Sequence, residues 1–188
     1  MPESAARSVT HSVTTPVTIR RLAPPDLGAY KALRDTMLAA HPEAFTSDAA
    51  TERARPADNY LARIGADHPD AGHASQFTLG AWQGTRLVGA LGCERDPRIK
   101  VRHIAQLVGM MVVADVRRAG VGRALLDACI ASAREAGSIE MLTLSVTAGN
   151  TAALRLYEGA GFSRYASLPR AIRVGNDYHA KEQWVLML

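Results

Sequence analysis

Long hydrophobic runs are absent from this sequence, and none approaches the roughly 20 apolar residues that a helix needs to cross a bilayer. Residues 1–16 also lack the apolar core of a secretory signal and the many arginines of a transit peptide. We therefore expect a cytoplasmic protein with no membrane partner. Residues 1–16 are predicted to form a mobile tail, and residues 17–188 one domain of ordinary size.

Cysteine is scarce, with Cys93 and Cys129 as its two occurrences. Both lie in apolar runs, without C-x-x-C spacing and without a cluster of histidines beside them. This pattern excludes a disulfide framework and predicts no metal site. We expect both cysteines to be buried free thiols.

Lysine is scarce as well: Lys31, Lys100 and Lys181 are the only lysines among 22 basic residues, and the net charge is +4. The sequence has no run of like charge and no basic helix interleaved with aromatic residues, so we expect no nucleic-acid partner. Arginine, however, presents a planar fork of donors that matches phosphate oxygens. A small ligand that carries phosphate fits this composition as well as a nucleic acid does.

The hydrophobic periodicity changes along the chain between that of strands and that of helices. We predict strands at residues 17–22, 76–82, 85–94, 103–113, 140–146 and 181–188, and helices at 27–40, 57–66, 122–137 and 150–159, with a loop over 41–56. The almost wholly apolar strand at 103–113 should be the centre of the sheet. The strand at 140–146 should pair with it in parallel, because a helix crosses between them.

The stretch VRRAGVGRALL, residues 116–126, falls between that central strand and the next helix. The first backbone N–H groups of a helix have no partner within it, and the helix dipole is positive there, so an anion binds well. Gly120 and Gly122 let the backbone curl, while Arg117, Arg118 and Arg123 add positive charge. The stretch therefore predicts a site for a diphosphate, unless it is a plain turn from strand to helix.

Two other nucleotide-binding patterns fit this stretch poorly. The dinucleotide-binding fold needs a third glycine where this chain has Leu125, and an acidic residue near the end of the next strand. A nucleotide-kinase loop needs Gly-Lys-Ser or Gly-Lys-Thr, which is not present.

Together with NTAALRLYEGAGF, residues 150–162, this stretch resembles the central motifs of the GNAT superfamily of acyl-CoA-dependent N-acyltransferases. Arg117, Gly120 and Gly122 match its R/Q-x-x-G-x-G/A loop. The residues that match its N-x-x-A-x-x-x-Y-x-x-x-G-F helix are Asn150, Ala153, Tyr157, Gly161 and Phe162. The resemblance implies one α/β (α+β) domain, with a mixed, mostly antiparallel sheet splayed at its centre and flanked by helices.

The resemblance also implies acetyl-CoA as cosubstrate and assigns the residues that bind it. The backbone amides that would hold the diphosphate are those of Arg118, Ala119, Gly120, Val121, Gly122 and Arg123. The strand edge at Met110, Met111 and Val112 would pair with the pantetheine arm, which Asn150 would also reach. The Tyr157 hydroxyl would lie near the thioester sulfur and donate a proton to it.

Three residues depart from the family pattern. Ala114 stands where proline is common, and Arg118 where the loop often has another glycine. Ser145 stands where some members that acetylate proteins carry a glutamate base. The last departure argues mildly against a protein substrate.

The general base and the acceptor site are less defined by the sequence. Glu94, His103 or water would take the proton of the amine, although each of these side chains also fits an ordinary strand end. The acceptor site should lie between the loop at 41–48 and the segment at 168–182, with Phe45 as an apolar wall. Candidates there to meet a carboxylate or phosphate are Arg170, Arg173, Tyr178 and His179, unless the segment is an ordinary polar loop.

The sequence thus favours an acetyl-CoA-dependent enzyme that acetylates a primary amine of a small molecule by direct attack on the thioester. Two alternatives stay open: a protein or peptide N-acetyltransferase, and a non-catalytic regulatory module that binds acyl-CoA. A homodimer is possible, and the sequence does not define an interface.

Overall fold

A seven-stranded sheet forms the middle layer of the protein. The computed structural model describes residues 16–65 and 76–188, and its strands follow the order β1-β2-β3-β4-β5-β7-β6. They are β1 (Val17–Arg21), β2 (Gln76–Gln83), β3 (Arg86–Arg95), β4 (Ile104–Val112), β5 (Met141–Thr147), β6 (Ser163–Val174) and β7 (Asp177–Met187). Strands β4 and β5 run parallel, and all other neighbours run antiparallel. As predicted, the third strand of the β2–β4 meander lies at the centre.

Helices cover both faces of this sheet. On one face, α1 (Leu27–Ala40) packs Tyr30, Leu33 and Met37 into a core that it shares with β3. On the other face, α3 (Val121–Glu135) and α4 (Thr151–Gly159) cover a second core that contains Leu125 and Tyr157. Because successive side chains of a strand point to opposite faces, β3 contributes to both cores.

The centre of the sheet splits open partway along β4. This strand pairs with β5 from Ile104 to Leu107 only, opposite Met141 to Leu144. Gly109 then takes a left-handed φ of 61°, and the register with β3 shifts at the same point. Beyond it, β4 stays with β3 while β5 continues along β7. The predicted single domain with a sheet splayed at its centre is confirmed.

Four predictions about individual elements need correction. Within the segment predicted as a loop, a short helix, α2 (Ala49–Ala54), begins where the Asp48 carboxylate accepts the Thr51 N–H at 2.9 Å. The helix predicted over 57–66 consists instead of two 3-10 helices, Ala57–Tyr60 and Ala62–Ile64, and residue 66 lies outside the described ranges. The segment begins after Pro56 and is ended by Gly65, which has a left-handed φ. It is therefore too short to form a stable α-helix.

The other two corrections concern exposure. Strand β6 was missed because its first eight residues are exposed, so they carry no alternation of apolar and polar side chains. Strand β4 is not covered on both faces along its whole length, because the opening of the sheet leaves Gln106 exposed and Val108 to Met110 half-buried.

Cys93 and Cys129 are buried free thiols, as predicted, with exposures of 2% and 0%. Among the described residues, no group of three or more His, Cys, Asp or Glu side chains is placed to hold a metal ion. No helix in this part of the chain is long and apolar enough to cross a membrane. Of the predicted N-terminal tail, residues 1–15 lie outside the described ranges.

Candidate active site

A cleft of about 500 Å³ opens where β4 and β5 separate. Its walls come from β4 at Val108 to Met110, from β5 at Leu144 to Thr147 and from the start of α4. Beyond the separation, the edge of β4 that faces β5 has no strand partner among the described residues. An unpaired strand edge offers N–H and C=O groups to any extended ligand.

The predicted diphosphate loop lies between the end of β4 and α3. Arg118 and Gly120 both adopt left-handed φ angles, 67° and 80°, which turn the chain sharply around Ala119. The first α-helical bond runs from the Ala124 N–H to the Gly120 carbonyl at 2.9 Å. The N–H groups of Val121, Gly122 and Arg123 therefore have no partner within the helix and point out of its N-terminus. This end of α3 has the geometry of an anion cradle.

The three arginines of the loop differ in what they contact. The Arg117 guanidinium donates through Nε to the Val112 carbonyl at 3.4 Å and through Nη2 to His41 Nε2 at 2.7 Å. Arg123 pairs with Asp127 at 2.8 Å and donates to the Gly159 carbonyl at 3.1 Å, which ties α3 to the end of α4. The Arg118 side chain is exposed and has no hydrogen bond within the described part of the chain. Of the three, Arg123 alone has a carboxylate partner, and Arg118 alone has no hydrogen bond within the described residues.

Gly122 lies where α3 approaches α4. A Cβ atom at this position would meet Leu156 Cδ2 at 3.4 Å and Val112 Cγ2 at 3.8 Å. The site therefore accommodates a small residue, and a bulky one would displace the contact between the loop and α4.

Tyr157 lines the cleft from α4. It is 7% exposed, and its ring packs edge to face against Phe162 with 6.0 Å between ring centroids. Burial raises the pKa of the Tyr157 hydroxyl to about 12, because the charged phenolate is poorly solvated there. The hydroxyl is therefore protonated at neutral pH and can act as a donor.

Asn150 lines the same cleft and caps α4. Its side-chain oxygen accepts the Ala153 N–H at 3.2 Å. The carboxamide NH2 group has no protein partner among the described residues, so it is available to donate to a ligand.

Polar contacts hold the cleft wall on the β5 side. Gln183 Nε2 donates to Ser145 Oγ at 3.2 Å, and Thr147 Oγ1 donates to the Glu43 carbonyl at 2.8 Å. The second of these bonds fastens the loop at 41–48 to the end of β5. Ser145 thus occupies the cleft wall with a hydroxyl and supplies no carboxylate there.

Of the two proposed bases, Glu94 lines a second depression of the surface. It pairs there with Gln106 across β3 and β4. Gln106 also lines the main cleft, so the two cavities share this residue. His103 lines neither of them.

The two segments predicted to enclose the acceptor do line the cleft. Phe45 and Ser47 come from the first, and Leu168, Ala171 and Lys181 from the second. The four residues suggested there as anion ligands do not line it. Arg170 lies between two lining residues, but at an irregularity of β6 where its φ is left-handed at 55°, and its guanidinium carbon stacks 3.9 Å from the Tyr178 ring centroid. Arg173, Tyr178 and His179 lie nearer to the tip of the β6–β7 hairpin.

Three basic residues of the cleft were missed at the sequence level: Arg34, Arg63 and Lys181. Arg34 carried a signal, because it falls on the buried stripe of α1 between Tyr30 and Met37, where a charged residue is out of place. Lys181 shares a face of β7 with Gln183, two residues on, and both line the cleft.

Arg34 is held by a buried network behind the cleft. Its Nε lies 2.9 Å from Glu52 Oε2 and its Nη2 3.0 Å from Ser47 Oγ. Tyr60 donates its hydroxyl to the same Glu52 oxygen at 2.6 Å. Burial alone would raise the pKa of Glu52, but the hydrogen bonds from Tyr60 and Arg34 outweigh burial and lower it. The network fixes α2 against α1 and positions Ser47 at the cleft.

Known proteins resemble this chain in sequence and in fold. A mycothiol acetyltransferase of Geodermatophilus obscurus is 32% identical over 130 residues, which is 68% of this chain and 38% of that protein. A GNAT-family acetyltransferase from Streptococcus pneumoniae superposes with a TM-score of 0.78 at 23% identity, covering 92% of this chain and 100% of that one. The Salmonella typhimurium protein yncA, solved with its cofactor acetyl-CoA, superposes with a TM-score of 0.77 at 20% identity, covering 92% and 94%.

A family model also matches the sequence. The acetyltransferase (GNAT) family model covers residues 31–162, which include the end of β4, the cradle at the start of α3 and Tyr157 on α4. The chain therefore belongs to the GNAT family of acetyltransferases.

Proposed function

We propose that this protein transfers the acetyl group of acetyl-CoA to a primary amine of a small molecule. The observation that carries the proposal is the presence of Tyr157 and the unpaired edge of β4 in one cleft. A mycothiol acetyltransferase as a relative supports a small acceptor.

The coenzyme diphosphate binds at the N-terminus of α3. Backbone amides from Arg118 to Arg123 donate to its oxygens, and the exposed Arg118 side chain adds charge. The pantetheine arm pairs with the free edge of β4 from Met110 to Val112. Because the Met111 side chain is only 1% exposed, this residue contributes through its backbone alone.

Acetyl-CoA supplies a thioester whose carbonyl carbon is open to attack by the amine. An alkyl amine with a pKa of about 10.4 is less than about a thousandth free base at neutral pH, so it must lose a proton before it attacks. Glu94 takes that proton through water, by way of the depression that meets the cleft at Gln106. Holding the two reactants together in the cleft lowers the barrier by several kcal/mol more.

Tyr157 donates the proton that the departing sulfur needs. One C–N bond forms and the C–S bond breaks. After the attack the nitrogen loses a second proton, which returns to the Tyr157 oxygen through water, and the first proton, held by Glu94, is released to solvent. The products are an N-acetylated amine and the coenzyme thiol. A hydroxyl with a pKa of about 12 suits this role, because it stays protonated until the thiolate develops.

The proposal is tested with Tyr157→Phe beside a matched control, Tyr165→Phe, whose side chain is 60% exposed and outside the cleft. We expect Tyr157→Phe to lower kcat for thiol release by about a hundredfold or more. The rise in Tm on adding acetyl-CoA should be the same in both variants and in the wild type.

Three results would contradict the proposed function or one of its parts. Full turnover in Tyr157→Phe would remove the donor assignment. A rise in Tm without thiol release from any amine would replace the enzyme with a module that only binds the coenzyme. No rise at millimolar acetyl-CoA would remove the cradle assignment and the proposed function with it.

A further inference from the structure

The charged residues that line the cleft are all basic. Arg34, Arg63 and Lys181 line it, and no Asp or Glu among the described residues does. The charge balance of the cleft is therefore different from that of the whole chain, where 18 acidic residues nearly match 22 basic ones.

Only one of these three cations has a carboxylate partner. Arg34 is neutralised by Glu52. Arg63 and Lys181 have no ion pair within the described part of the chain. Both are half-buried, and burial lowers the pKa of Lys181. Half-burying a cation without a counter-ion costs free energy, which a bound anion would recover.

Lys181 stands on the cleft face of its strand. It lies in register with Thr147 on one side and Leu168 on the other, and both of these residues also line the cleft. Its neighbour Glu182 is engaged elsewhere, with Arg164 Nη1 at 3.1 Å and Trp184 Nε1 at 3.0 Å. The only nearby carboxylate on β7 therefore does not neutralise the lysine.

The coenzyme does not account for these charges. None of the residues from Arg117 to Arg123 lines this cleft, so the diphosphate cradle is separate from it. Arg63 and Lys181 line the same cleft as Phe45 and Leu168, which belong to the two segments predicted to enclose the acceptor, and Lys181 is paired directly with Leu168.

Resting on the proposed function, we propose that the acceptor is an amine that also carries an anionic group, a carboxylate or a phosphonate, which Arg63 and Lys181 bind. The apolar residues Phe45 and Leu168 beside them favour a hydrophobic side chain on the same molecule. An α-amino acid such as leucine has these three features. Polyamines and other polycationic amines are disfavoured, because like charges repel each other in this cleft.

The test compares matched acceptors in the thiol-release assay. Leucine is paired with leucinamide and with isopentylamine, and the aminophosphonate analogue of leucine is paired with its diethyl ester. The comparison with the amide is biased against the proposal, because an α-amino group beside a neutral carbonyl has a pKa near 8 and is more readily deprotonated. We expect the charged member of at least one pair to have a kcat/KM about ten- to a hundredfold higher, as a charge-assisted hydrogen bond provides. The preferred pair identifies the anion.

Variants then assign the effect to the two cations. Arg63→Gln and Lys181→Gln should each raise KM for the charged acceptor about tenfold while changing KM for its neutral partner less than about twofold. The matched control is Arg134→Gln, which removes one positive charge from the exposed end of α3 outside the cleft. It should change neither value.

The outcomes separate the two proposals. Equal or better turnover of the neutral amines, or equal KM changes for both members of a pair, overturns the anionic acceptor and leaves the enzyme standing. Absence of thiol release from every amine, in a protein whose Tm still rises with acetyl-CoA, overturns both the proposed function and the inference that rests on it.

Discussion

Arg34 and Glu52 form an ion pair from which water is almost excluded, with residue exposures of 3% and 4%. A second cation, Arg55, reaches the other oxygen of the same carboxylate at 3.0 Å. Pairs of this kind add little net stability when complete, but they are costly to break, because the remaining charge stays buried. The wall of the cleft that contains Ser47 depends on this pair staying intact.

Glu52→Gln is expected to lower the free energy of unfolding by about 3–5 kcal/mol, because it leaves the Arg34 guanidinium without its counter-ion. The pKa of Glu52 is lower in the folded protein than in the unfolded chain. The stabilisation that the Glu52 carboxylate provides is therefore complete above about pH 4.3, its pKa in the unfolded chain. It is lost as the pH falls through the lower pKa of the folded protein. The Tm of the wild type should fall more steeply than that of Glu52→Gln between about pH 5 and pH 3. Melting curves across this pH range measure the difference, with the exposed Glu135→Gln as control. Parallel Tm profiles for the wild type and Glu52→Gln would contradict the role of the Glu52 carboxylate.

Arg118 adopts a left-handed φ of 67° in the loop, at a position where the family often has glycine. A side chain with a Cβ costs about 1–2 kcal/mol in that conformation. Arg118→Gly should therefore be about 1 kcal/mol more stable than Arg118→Ala, since both lose the same charge and only glycine relieves the strain. Chemical denaturation measures the difference, and titration with acetyl-CoA should show the same weakened binding in both. Equal stabilities would mean that the loop relaxes around alanine without strain.

Gly109 carries the bend at which β4 leaves β5. It has a φ of 61°, and a Cβ atom there would contact nothing within 4 Å, so the penalty for alanine comes from the backbone alone. Gly109→Ala should cost about 1–2 kcal/mol of unfolding free energy and reduce coenzyme binding, because the strained bend shifts the edge of β4. The control is Gly28→Ala in α1, where a Cβ atom also meets nothing and the helical φ suits alanine. Gly28→Ala should raise the free energy of unfolding by about 0.5 kcal/mol. If Gly28→Ala and Gly109→Ala lowered it by similar amounts, the strain would not be specific to the bend at Gly109.

The loop before α3 and the helix α4 could be predicted from the sequence because their signals are local. Gly120 and Asn150 lie at helix starts, and the spacing from Asn150 to Tyr157 is a property of one helix. The order of β2, β3, β4 and β5 followed from a short hairpin turn and a parallel crossover, both of which leave periodic patterns. These features need only the neighbouring residues to be recognised.

The two segments predicted to enclose the acceptor do line the cleft, but its basic residues could not be predicted, because they come from segments far apart in the chain. Arg34, Arg63 and Lys181 meet only after α1, a 3-10 helix and β7 have packed around the opening. Strand β6 is exposed along most of its length and is defined by its pairing with β7. Arg170 and Arg173 of this strand hold their guanidinium groups over the Tyr178 ring and do not line the cleft, although their charge suits the role predicted for them.

Within the described part of the chain, three contacts attach the loop at 41–48 to other elements. His41 meets Arg117 of the loop before α3, the Glu43 carbonyl accepts the hydroxyl of Thr147, and Ser47 bonds to Arg34. Of the residues that face the cleft, Ala44, Phe45 and Thr46 lie between these contacts and take part in none of them. These three positions can therefore be substituted to reshape the cleft without breaking the contacts that hold the loop in place, which makes them the first choice for redesign.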